Sequence, residues 1–140
     1  MPLVVLDTSV LVAAFRSRRG AAFRLLSRVG TGDFGIAVSV PLVLEYEDAL
    51  LRQLADTSLR ESDVHDVLDY LCSVAKRQDI FFLWRPLLRD PNDDLVAEVA
   101  VAAGCDAIVT YNRRDFAGIE QFGIRVLTPA ELLREAGGLL

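Results

Sequence analysis

Four stretches of this 140-residue chain put a carboxylate where an ordinary core pattern has no use for one. In "PLVVLDTSVLVAAF", Asp7 follows the apolar run Val4, Val5, Leu6 and precedes what reads as the start of a helix. A carboxylate at the buried end of an apolar strand needs a partner or a cation. In "VSVPLVLEYEDALLR", Glu45 lies one turn into a helix opened by Pro41, while Glu47 and Asp48 project in other directions around it. In "RDPNDDLVAEVAVAAGCDAIVT", Asp90, Asp93 and Asp94 crowd the start of a helix built of Ala and Val. In "VTYNRRDF", the chain leaves a strand at Thr110 and presents Asn112 and Asp115 in the loop that follows.

All but Asp7 have a plainer explanation. Acids in a first helical turn complement the macrodipole and cap free amides, which accounts for the 90–94 cluster. Glu45 alone reads as a solvated helix residue and Asp115 as a turn acid. Taken together the positions mean more. Carboxylates gathered within a few ångströms repel one another and raise at least one pKa unless a cation neutralises them. An all-oxygen donor set suits Mg²⁺ or Mn²⁺, and there is no cluster of His and Cys for zinc. The single histidine, His65, falls on a polar helix face and reads as a surface residue. Cys72 and Cys105 lack metal-ligand spacing and read as small buried hydrophobes with free thiols.

Carboxylate-held Mg²⁺ serves phosphoryl-oxygen chemistry, by lowering the pKa of water and stabilising charge on the attacked and leaving oxygens. The substrate class this suggests is a phosphodiester. A net charge of −5 argues against a passive, charge-driven nucleic-acid binder. The distribution of charge says otherwise: Arg16, Arg18, Arg19, Arg24 and Arg28 follow one another with no acid among them, and Arg113 and Arg114 flank the fourth site. Arginine forks pair well with phosphate, so acids rimmed by arginines suit a nuclease; the plainer reading is a set of solvated arginines.

The elements that must position these groups follow from periodicity. "LVVL" (3–6), "GIAVS" (35–39), "IFFL" (80–83), "AIVT" (107–110) and "RVL" (125–127) are short, apolar and flanked by turn residues, as buried strands are. Helical spacing marks 21–29, with Phe23, Leu26 and Val29 on one face; 41–55; and 61–77, with Val64, Leu68 and Leu71 as its stripe and Ser58 with Glu61 or Ser62 as its cap. In "TPAELLREA", Thr128, Pro129 and Glu131 spell a capping box. Strands alternating with helices predict an α/β fold, a three-layer sandwich with a central parallel sheet, in a single domain over 1–140. In such sheets sites form at the carboxyl ends of the strands, which is where Asp7 falls. With no secretion signal and no apolar run near the ~18 residues that cross a bilayer, the chain is expected to be soluble and cytoplasmic, with no membrane partner.

Over nearly its whole length the chain resembles the PIN-domain family, metal-dependent nucleases that include the VapC-like toxin ribonucleases of bacterial toxin–antitoxin pairs. The resemblance rests on "VVLDTSVLVAAF", "VSVPLVLEYEDALLR", "DPNDDLVAEVAVAAGCDAIVTYN" and "TYNRRDF", in that order. It implies that Asp7, Glu45 and Asp93 are the metal-binding catalytic acids. Asp93 is preferred to its neighbour Asp94 because the Ala-rich helix closed by Gly104 keeps the family's distance from that position. Asp115 matches a fourth, variable acidic position, and Thr8 matches the small hydroxyl residue that supports the first acid. Ser9 stands where Asn is common, and Asn112 where some relatives have an acid, so the fourth ligand is Asn112, Asp115 or water. The resemblance further implies RNA as substrate, contacted by Arg16, Arg18, Arg19, Arg113 and Arg114, together with an antitoxin partner and a homodimer. Phe15 and Phe23 serve either as core or as a groove for the antitoxin.

Three other readings compete. A haloacid-dehalogenase-type phosphotransferase also ends its first strand in "DTS", but carries a second acid where Ser9 stands. A receiver domain needs a lysine at a strand end, whereas Lys76, the sole lysine, is expected within a helix. A PIN fold kept as a non-catalytic binding module is the remaining alternative.

Overall fold

The computed structural model describes residues 1–80 and 91–137. Five strands form one parallel sheet: β1 (Leu3–Leu6), β2 (Gly35–Val38), β3 (Lys76–Arg77), β4 (Ala107–Val109) and β5 (Arg125–Leu127), in the order β3-β2-β1-β4-β5. Six helices flank it: α1 (Thr8–Arg16), α2 (Ala21–Ser27), α3 (Val40–Gln53), α4 (Glu61–Val74), α5 (Pro91–Ala103) and α6 (Pro129–Gly137). This is the expected α/β architecture around a central parallel sheet.

β1 is the middle strand because it can be buried from every side. Val4, Val5 and Leu6 are all but inaccessible to solvent, as a strand covered on both faces of a parallel sheet must be. Its register sets Val4, Val5 and Leu6 opposite Ala107, Ile108 and Val109 of β4, and Leu3 and Val4 opposite Gly35 and Ile36 of β2. The chain builds outward from β1 through β2 to β3, then returns to add β4 and β5 on the other side. The strand order therefore reverses beside β1, the switch point at whose carboxyl ends sheets of this kind form their sites.

The helices end where local chemistry stops them. Ser39 caps α3, its Oγ accepting from the Leu42 N–H at 3.2 Å, with Pro41 in the first turn. At the end of α5, Gly104 takes φ +67° and the Cys105 N–H reaches back to the Ala100 carbonyl at 2.9 Å, a Schellman closure that turns the chain into β4. The capping box of α6 forms as expected: the Thr128 N–H donates to Glu131 Oε1 at 2.8 Å, and the Glu131 N–H donates to Thr128 Oγ1 at 3.3 Å.

Several expectations change. The helix predicted to run to residue 77 stops at Val74; Ala75 is extended, and Lys76 and Arg77 pair with Ala37 and Val38 as β3. Two charged, exposed residues carry no strand signal, so only the edge of β2 reveals them. The cap of α4 is Arg60, whose N–H donates to Asp63 Oδ2 at 2.8 Å, rather than Ser58. Of the strand expected at 80–83, Ile80 lies in no regular element and residues 81–83 fall outside the described residues. On α2 the core face is Ala22 and Leu25, continued by Val29 just past its end; Phe23 and Leu26 are half-buried on a second apolar face. The stripe of α4, Val64, Leu68 and Leu71, is buried as expected.

Cys105 is a core residue between α5 and β4. Burial pushes its thiol up from an ordinary 9.0 to about 12, against the opposing charge of Lys76 and with help from Asp106. The folded chain thus keeps a proton that the unfolded chain releases. The associated stability is complete below pH 9.0 and is lost as the pH climbs toward about 12. Thermal melts across that window should show a falling Tm in the wild type and a shallower fall in Cys105→Ala; equal slopes would assign the alkaline loss to other groups.

Candidate active site

Asp7 lies one residue beyond β1, where the strand order reverses. Its N–H donates to the Val109 carbonyl at 2.9 Å, carrying the β1–β4 ladder one step further, and its carbonyl accepts from the Val10 N–H at 2.9 Å as α1 begins. Its backbone is that of a helix cap, yet its carboxylate caps nothing. Instead Oδ2 accepts two hydroxyls, Ser9 Oγ and Thr110 Oγ1, each at 2.7 Å. Among the described residues Oδ1 accepts no hydrogen bond. Asp7 is 6% exposed and, among the described residues, is held by one oxygen only.

The hydroxyl on Thr110 went unremarked in the motifs. Thr110 is fully buried; its N–H donates to the Leu127 carbonyl at 2.8 Å, and its Oγ1 also accepts the Asn112 N–H at 2.9 Å. It thereby ties Asp7 to the loop that carries Asn112. The only signal in the sequence is a hydroxyl residue ending the apolar strand "AIVT". Of the two hydroxyl residues after Asp7, it is Ser9 rather than Thr8 that reaches the carboxylate.

Glu45 occupies the second turn of α3 with its side chain 16% exposed, and Arg52, two turns on, stands 3.9 Å from it and 3.2 Å from Asp48. Arg52 is largely in solvent, so this pair contributes little. The next residue matters more. Tyr46 is buried and its hydroxyl donates to the Leu6 carbonyl, joining α3 to the end of β1. Burial, and after it the negative charge of Asp7, push the Tyr46 phenol well above its ordinary value.

α5 packs across β1, β2 and β4 and against α3, and carries two acids in its first turn. There Asp93 is half-buried and Asp94 is 2% exposed. Glu98, one turn after Asp94 on the same face, is equally buried, an acid inside the "VAEVAVAA" run that the motifs did not single out. Asn112 and Asp115 are exposed. The Asp115 N–H donates to the Asn112 carbonyl at 3.0 Å in a 3-10 turn (Arg113–Phe116) anchored by the buried Phe116. Asp90 lies outside the described residues.

Asp7 follows β1, Glu45 stands in the second turn of α3 and Asp93 in the first turn of α5. Among the described residues no three His, Cys, Asp or Glu side chains stand close enough together to hold a metal ion. All three side chains are oxygen donors, and among the described residues one oxygen of the Asp7 carboxylate accepts no hydrogen bond. Both features fit a hard divalent cation of the Mg²⁺ or Mn²⁺ type.

The arginines divide. Arg18 and Arg19 are exposed in the link between α1 and α2, and Arg114 is exposed beyond β4. Arg16 donates through Nε to Gln53 Oε1 at 3.0 Å, and Arg113 is ion-paired with Glu131 of the α6 capping box. His65 lies exposed on α4 beside Glu47, as its polar face suggests.

Comparison with known proteins bears on this arrangement. No curated protein matches the chain. Among solved structures, the fold resembles VapBC2 from Rickettsia felis bound to a DNA fragment from their promoter, at 19% identity and TM-score 0.60, over 89% of this chain and 98% of that one. It also resembles VapBC-1 from nontypeable Haemophilus influenzae, at 14% identity and TM-score 0.59, over 91% and 98%. The family profile of the PIN domain matches residues 3–114, which takes in β1 through β4 and all three acids. The chain that sets Asp7 at the end of its central strand belongs to the PIN-domain family.

Proposed function

We propose that this chain is a metal-dependent endoribonuclease acting as the toxin of a toxin–antitoxin pair. The observation that carries the reading is the Asp7 carboxylate, buried at the end of the central strand, steadied on one oxygen by Ser9 and Thr110 and uncommitted on the other. Asp7, Glu45 and Asp93 would hold Mg²⁺ or Mn²⁺, with Asp115 or Asn112 completing the set through water. Bound there, the cation supplies a Lewis acid for a phosphodiester oxygen and lowers the pKa of an attacking water.

The remaining work belongs to side chains of this protein. Ser9 and Thr110 keep Asp7 from rotating, so that it meets the cation without reorganising. Arg18, Arg19 and Arg114 are free to take RNA phosphates, and Arg16 and Arg113 join them by exchanging Gln53 and Glu131 for phosphate. Among the described residues Asp7 is the acid best explained by such a role, since a capping function does not account for it.

An antitoxin segment would lie in the open groove of about 550 Å³ between α1, α2 and the start of α4. Its floor includes Phe15, Phe23, Leu26 and Val67, with Arg18 and Asp66 at its margins. This explains the second apolar face of α2: the core uses one face, and the other is left for a partner. The likeness to VapBC structures supports a partner of this kind.

Incubation of a mixed structured-RNA pool with the purified protein should give cleavage with Mn²⁺ and none with a chelator. Asp93→Asn should lose activity by at least about two orders of magnitude. The same variant, freed of metal with a chelator, should melt no lower than the wild type treated alike, because it removes a negative charge from among the acids. Cleavage no greater than the variant's, across several RNAs, would overturn the nuclease reading, and a large fall in Tm would make Asp93 a structural cap. Separately, Arg18→Ala with Arg19→Ala should weaken RNA binding and reduce the slope of log K against log salt by about 1.4, two single-strand phosphate contacts' worth. An unchanged slope would leave those arginines as solvated surface groups.

A further inference from the structure

We infer that Tyr46 is a positioning residue of this site, a strut whose buried hydroxyl fixes the Asp7 and Glu45 carboxylates relative to one another. The inference rests on the metal-centre reading above and adds a residue to it. Tyr46 immediately follows Glu45 on α3, and the carbonyl it grips belongs to Leu6, immediately before Asp7. One hydrogen bond between residues 40 apart in sequence thus joins the two elements that carry the first two acids.

The geometry is more specific than a tether. The Leu6 carbonyl and the Asp7 N–H are two ends of the same planar peptide group. Tyr46 holds the carbonyl end, and the Val109 carbonyl accepts the N–H end at 2.9 Å. A peptide plane gripped at both ends cannot turn, and its orientation decides where the Asp7 side chain leaves the backbone. The Asp7 carboxylate is then fixed by Ser9 and Thr110 at its tip and by Tyr46 and Val109 at its root. Packing alone would be served by phenylalanine. A buried phenol costs desolvation and has a use here only through the carbonyl it satisfies.

The test is Tyr46→Phe, which keeps the buried ring and removes only the hydroxyl. Leu50→Val, one turn further along the same buried face of α3, is the control that loosens packing without touching the hydrogen bond. Calorimetric titration of the metal-free proteins with Mn²⁺ is the primary readout. Wild type should bind and Asp7→Asn should not. Tyr46→Phe should bind about tenfold more weakly, the usual consequence of losing a group that orients a ligand. Leu50→Val should bind as the wild type does even where its Tm falls as far. In cleavage assays Tyr46→Phe should lose kcat with little change in KM for RNA, and excess Mn²⁺ should restore it. Wild-type affinity in Tyr46→Phe, or equal weakening in Leu50→Val, would overturn the inference and leave Tyr46 a core residue. If the wild type and Asp7→Asn take up Mn²⁺ alike, the metal centre itself is wrong and the strut falls with it.

Discussion

The constraint on which the structure turns is a charge at the end of an apolar strand. β1 is buried on both faces, and the residue that follows it is a carboxylate that remains almost as buried. Burying a group of that kind is costly unless hydrogen bonds compensate it. Two hydroxyls, one two residues on and the other 103 positions away, satisfy one oxygen, and the backbone on either side is pinned to β4 and to α1. The same contacts that make the charge tolerable fix its direction. Stability and positioning at Asp7 are therefore one set of interactions, and neither can be altered alone.

The surrounding helices extend that logic. α3 starts where β2 ends, with a serine cap and a proline that set its axis, and α5 starts with acids suited to a helix N-terminus. The macrodipole makes Asp93 and Asp94 welcome in the first turn of α5, whereas Glu45 stands in the second turn of α3 and takes no part in starting that helix.

Most of this frame was legible in the sequence, because strands β1, β2, β4 and β5 are short apolar runs and the helices α3, α4 and α6 repeat at helical spacing. What escaped did so for physical reasons. β3 is two charged residues made a strand by their neighbour, and local pattern contains no neighbour. The helix before it was overextended because its apolar stripe does not announce where it ends. Asp7 was conspicuous, being a charge in the wrong place. Thr110 and Tyr46 were not, since a hydroxyl at a strand end and an aromatic on an amphipathic helix look like ordinary core residues until their partners, 103 and 40 positions away, are in view. Likewise spacing puts Phe23 and Leu26 on one apolar face without saying whether it is core or groove, and only the tertiary fold distinguishes the face of α2 that is buried from the one that is half-buried.

The strand order has a consequence for how the protein comes into being on the ribosome. β1 is made first but is flanked in the sheet by β2 and β4, and β4 begins at Ala107. Until the chain has grown through Thr110, Asp7 has neither its backbone acceptor on Val109 nor its hydroxyl donor. Closing a loop of that length carries an entropic cost, and it is postponed by synthesis as well. A nascent chain arrested before β4 therefore has Asp7 and the arginines of the α1–α2 link, but not the partners that fix the direction of the acid.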